Sequence, residues 1–176
     1  VTSPSWANST NIYEISNFGN GDINLTGYKF CYVTGSSLAL ANNMTKTYTF
    51  PNNYILRSNT SICLLNVNAN NLSAPDSLAL AIGTGTVGQT SKAGFIIKDS
   101  SNNIVDAVTI NGSTFNTATN VPTTVWTGAS TNLITQGKAG IYRISNTATT
   151  ESAWAVSSST NPLTIGTMNS NLIVAT

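Results

Sequence analysis

An all-β domain, a sandwich or barrel of nine short strands, is what this sequence predicts, and three features predict it. β-Branched and aromatic residues recur in short runs. Clusters of Asn, Gly, Ser and Pro separate those runs. Apolar residues at helical spacing are nearly absent. The expected strands are residues 11–17, 24–34, 46–50, 61–67, 93–99, 103–110, 140–145, 153–156 and 171–175. A chain of 176 residues suits one such domain and is short for two, so residues 1–176 read as a single unit.

The elements follow in order. The first strand carries Ile12, Tyr13, Glu14 and Ile15 and ends in the turn-rich Phe18-Gly19-Asn20-Gly21-Asp22, read as a hairpin or tight turn. The second places Tyr28, Phe30 and Tyr32 on one face and Cys31 on the other, so Cys31 is expected to point outward if the aromatics are core. The third, with Tyr48 and Phe50, stops at Pro51-Asn52-Asn53, and the fourth is the apolar Ile62-Cys63-Leu64-Leu65. The fifth and sixth flank Ser100-Ser101-Asn102, another turn signal. Tyr142, Arg143 and Ile144 mark the seventh, Trp154 the eighth, and Leu172, Ile173 and Val174 the ninth. Residues 68–92 and 112–138 lack sustained alternation and read as long surface loops, the places where binding is expected.

Composition limits function. Only 7% of residues are charged, against roughly 25% in ordinary domains. The polar surface comes instead from 24 Asn, 27 Thr and 21 Ser. There is no His, which removes Ser-His-Asp and Cys-His catalysis and His-ligated metals. The seven cations are scattered and the net charge is +1, so no basic patch is available for nucleic acid or an anionic membrane surface. Low charge also means that close self-association costs little electrostatically. The longest apolar runs, such as Leu78-Ala79-Leu80-Ala81-Ile82, fall far short of a membrane helix, and membrane insertion is not expected. The start at Val1, without Met or an apolar leader, reads as a processed mature chain or a cut boundary.

Several chemistries are weighed and set aside. Glu14 with Asp22, and Asp99 with Asp106, are the nearest paired carboxylates in sequence, but no flanking motif makes them a glycosidase pair. Gly83-Thr84-Gly85-Thr86-Val87-Gly88 precedes no helix and reads as a loop rather than a nucleotide cradle. Asp76 and Asp99 lack the spacing of a calcium loop. No enzyme activity, cofactor or metal is expected. Asp106 and Arg143 are read as a solvated pair or, alternatively, as an ion pair between strands. Cys31 and Cys63 leave three options open: a disulfide, two free thiols or intermolecular links. Six glycosylation sequons, at Asn8, Asn24, Asn43, Asn59, Asn71 and Asn111, match the number that chance gives in so Asn-, Ser- and Thr-rich a chain. Trp126 and Tyr54 are candidates to stack on a ligand, with loop anchoring the plainer role for Trp126.

The order of motifs resembles the lamin-tail domain. The resemblance is carried by Ile12-Tyr13-Glu14-Ile15-Ser16-Asn17, Leu25-Thr26-Gly27-Tyr28-Lys29-Phe30, Phe50-Pro51 and Ser61-Ile62-Cys63-Leu64-Leu65. It continues through Ile96-Ile97-Lys98-Asp99, Ile104-Val105-Asp106-Ala107-Val108, Tyr142-Arg143-Ile144 and Trp154, spanning roughly residues 11–171. It implies an immunoglobulin-like β-sandwich without catalysis, of the prokaryotic, viral or cell-surface type rather than the nuclear one. Two roles follow as expectations. The first is an extracellular, cell-surface or virion-surface structural subunit that self-associates, with Trp6, Leu172, Ile173 and Val174 on strands exchanged between copies. The second is a monomeric accessory module that binds a glycan or a surface protein.

Overall fold

Alternation in Lys29-Phe30-Cys31-Tyr32-Val33-Thr34 sets the centre of the molecule, because every residue from Phe30 to Val33 is buried on one side or the other. The structure is a computed structural model describing residues 12–38, 44–65, 79–81, 92–116, 119–128, 130, 141–145 and 147–156. Its elements are β1 (Ile12–Asn17), β2 (Ile23–Asn24), β3 (Lys29–Thr34), β4 (Ser37–Leu38), β5 (Met44–Thr49), β6 (Ile55–Leu56) and β7 (Thr60–Leu65). They continue with β8 (Ala79–Ala81), β9 (Ala93–Lys98), β10 (Ile104–Ile110), β11 (Thr114–Phe115), β12 (Ile141–Arg143) and β13 (Trp154–Val156). One turn of 3-10 helix, Glu151–Ala153, precedes β13. The described residues are thus all-β, as the sequence predicts.

The main sheet has the order β10-β9-β3-β5, antiparallel throughout. A second sheet, β1-β7-β8, pairs β1 antiparallel and β8 parallel to β7. Between them lies the larger core: Phe30 and Tyr32 from β3, Ile62 and Leu64 from β7, with Leu25, Phe50 and Leu56 closing the end. Tyr13 of β1 bridges the sheets, its ring 4.8 Å from Phe30 and 5.5 Å from Phe95. Burial of such rings supplies most of the favourable free energy, roughly 1.5–3 kcal/mol for each large apolar side chain.

The other face of the main sheet is covered as well. Cys31, Ile96 and Ala107 form a second core with Val108 and Trp126, joined by partly buried Phe115, Val125 and Trp154. Here β4 and β11 pair in parallel and lie over β9. Gly94 makes this approach possible, since a Cβ there would overlap Leu38 Cδ1 and come within 2.8 Å of Phe115 Cε1. The main sheet is therefore a middle layer.

Several sequence expectations change. The single strand expected at 24–34 is two, because Gly27 takes a left-handed φ of 73° and turns the chain between β2 and β3. The Phe18–Asp22 turn is not a hairpin: β1 pairs with β7, whereas β2 pairs with β6. The loops at 68–92 and 112–138 contain β8 and β11. Cys31 does lie on the face opposite the aromatics, but that face is the second core, and Cys31 is fully buried. The Ser100-Ser101-Asn102 turn does join an antiparallel pair, β9 and β10, with Asn102 at a φ of 66°. Residues 171–175 lie outside the described residues.

Candidate functional site

The ionisable groups are engaged in holding the fold. Asp99 accepts hydrogen bonds from the backbone N–H of Ser101 at 2.9 Å and of Asn103 at 2.8 Å, and from the Asn103 side-chain amide at 2.9 Å. The Asn103 amide, with these backbone donors, holds the Asp99 carboxyl below its ordinary value. Asp22 accepts from Ser58 N–H at 2.9 Å and meets Arg57 at 3.5 Å, tying the ends of β2 and β6. Asp106, at the β10 bulge, forms an ion pair with Arg143 of β12. Arg143 also lies over the Trp154 ring, 4.7 Å from its centre, and is 15% exposed by side chain. The ion-pair alternative for Asp106 and Arg143 is the one realised. Burial raises the Tyr13 hydroxyl above its ordinary pKa, with Tyr32 adding to the shift, and burial likewise raises Tyr32. Both phenols stay protonated at neutral pH.

The concave feature with uncharged polar walls is a groove of about 320 Å³ beside the second core. One wall is β11, where Thr114 and Asn116 flank Phe115. A second is Asn120 with Val121, and a third is Trp126 with Thr127 and Gly128. Each wall is tied to the frame. Thr114 N–H donates to Ser36 O at 3.0 Å and Asn116 N–H to Leu38 O at 3.1 Å. The Thr119 hydroxyl donates to Leu38 O at 3.0 Å, and Thr127 N–H to Thr149 O at 2.8 Å. Gly128 lets the third wall press on the Thr150–Glu151 turn, where a Cβ would sit 2.8 Å from the Glu151 backbone nitrogen. The buried indole N–H groups of Trp126 and Trp154 meet no acceptor among the described residues.

The structure redistributes the candidates named from sequence. Trp126 is 6% exposed and anchors the 120–128 segment in the second core, which corrects its reading as an open stacking ring. Tyr54 is half-buried, its ring 5.7 Å from Phe50, and packs against the first core. Cys31 and Cys63 are both buried and free, which corrects the disulfide option. The Cys31 thiol accepts from the Thr47 hydroxyl at 3.6 Å in the main sheet, while the Cys63 thiol faces Glu14 at 3.9 Å in the other sheet. Among the sequons, Asn24 and Asn59 are exposed. Asn111 is 4% exposed, so its side chain is closed to a glycan in the folded domain. Asn8, Asn43, Asn71, Trp6, Leu172, Ile173 and Val174 lie outside the described residues. The groove residues Thr114, Asn116 and Asn120 escape sequence reasoning, because isolated Thr and Asn are indistinguishable from the many others in this chain.

No protein-family model and no curated protein matches this chain. Among the described residues no cluster of three or more Cys, Asp or Glu is placed to hold a metal.

Proposed function

We propose that this protein is a non-catalytic structural subunit of a cell or virion surface, an immunoglobulin-like sandwich of the lamin-tail type that assembles with copies of itself. The observation that carries the reading is the use made of its carboxylates: Asp22, Asp99 and Asp106 each bind a turn or clamp two strands. A chain with six acids that commits these three to scaffolding is built for mechanical order. The sandwich reading is supported by the aromatic core between the β1-β7-β8 and β10-β9-β3-β5 sheets. Self-association is supported by the nearly uncharged surface, and by β1 and β10, which have a strand neighbour on one side only among the described residues.

Light scattering after gel filtration, with electron microscopy of the same fractions, tests the assembly reading. Regular filaments or shells are expected, and deletion of residues 1–10 or 171–176 is expected to leave soluble, unassembled protein. A stable monomer of 18.4 kDa at all concentrations overturns it. A monomeric accessory module that binds a carbohydrate or a surface protein is the second reading, and the groove at Phe115 and Trp126 is the observation that favours it.

A further inference from the structure

The groove has a chemistry of its own, and it is independent of whether the protein assembles. Its walls hold two carboxamides, two threonine side chains and the surfaces of Phe115 and Trp126, and none of its lining residues is ionisable. A ligand carrying a full charge would lose water there without gaining a counter-charge. A purely apolar ligand would leave Asn116 and Asn120 facing carbon. Carboxamides both donate and accept, which matches neighbouring hydroxyls on a ring, and an aromatic surface suits the C–H face of that same ring. The volume, about 320 Å³, lies at the small end of ligand sites and holds one ring rather than an extended chain.

We infer that this groove binds a neutral pyranose, either as a free monosaccharide or as the terminal residue of a glycan. Thr114, Asn116, Asn120 and Thr127 supply the polar contacts and Phe115 with Trp126 the apolar surface. Preorganisation supports the assignment. The bonds to Ser36, Leu38 and Thr149 fix all three walls to strands and turns of the sandwich, so little order remains to be imposed by the ligand.

The test uses the full chain, labelled with 15N, titrated with D-glucose, D-galactose, D-mannose, N-acetyl-D-glucosamine and D-glucuronic acid. At least one neutral sugar is expected to shift the Asn116 and Asn120 side-chain amides saturably, with a Kd of about 1–10 mM. Thr114→Val and Asn120→Gly are each expected to weaken it roughly three- to tenfold, the effect of one lost hydrogen bond. Valine matches the threonine shape, and glycine tolerates the φ of 49° at position 120, so both variants keep the fold. Overturning results are an absence of shifts at these amides, binding unchanged in both variants, or tighter binding of glucuronic acid than of every neutral sugar. A sugar that binds a monomer and equally an assembled particle separates this site from the assembly reading.

Discussion

Replacing Gly94 with alanine probes the layer on which the groove rests. The added Cβ would overlap Leu38 Cδ1, and Phe115 Cε1 and Cζ would lie 2.8 and 3.1 Å away. Leu38 has no exposed surface, so its side chain has no open space to retreat into, and Phe115 is pressed from below toward the groove it lines. Overpacking of this kind costs about 1–3 kcal/mol. Against it stands the lower chain entropy of alanine in the unfolded state, about 0.4–1 kcal/mol. The net expectation is a loss of about 1–2 kcal/mol, which for a domain of this size lowers Tm by about 2–8 °C. Urea and thermal unfolding followed by circular dichroism measure it. Leu38→Val in the Gly94→Ala background should recover part of the loss, because it removes the overlapping methyl, whereas Leu38→Val alone destabilises by opening a void. A Gly94→Ala protein as stable as the parent, or a double variant whose losses simply add, would refute the idea that β4 and β11 close on β9 only over a glycine.

Other consequences are checked separately. Asp106→Ala leaves Arg143 largely buried beside Trp154 without its carboxylate; a loss of about 1–2 kcal/mol is expected, and Arg143→Lys should not retain the full stability because lysine cannot stack its charge on the indole. The Asp99 carboxyl titrates lower in the fold than in the unfolded chain, so its contribution is complete above the ordinary carboxylate value and is lost as pH falls through the lowered one. NMR titration should show the Asp99 carboxyl and the Ser101 and Asn103 amides moving together with a midpoint below that of an Asp99 peptide, and a midpoint at the ordinary value contradicts the clamp. Thiol titration without reductant should find two thiols in denaturant and neither reacting promptly in the native state; zero in denaturant would mean a bridge.

Much of the strand plan was legible because a strand writes its two faces into adjacent residues. Phe30 and Tyr32 against Cys31, and Ile62 with Leu64 against Cys63, show the period directly, and the Ser100-Ser101-Asn102 turn announces its own hairpin. The two-residue strands β2, β4, β6 and β11 were not legible, since two residues carry no period. The groove was hidden for a related reason. Thr114, Asn116, Asn120 and Thr127 come together only because β11 lies along β4 and the 120–128 segment is pinned by Trp126, whose burial makes it an anchor rather than an open ring.

By itself, then, the sequence determined the β class, the alternating aromatic strands, the low charge and the exclusion of histidine chemistry, all properties that reside in local pattern or composition. The tertiary structure alone decided that Asp106 meets Arg143 across 37 residues, that the two thiols lie in different sheets, and that the second face of the main sheet is a core. Those outcomes depend on which distant segments pack together. A face turned to solvent and a face turned to another layer share the same period along the strand, so only the packing distinguishes them.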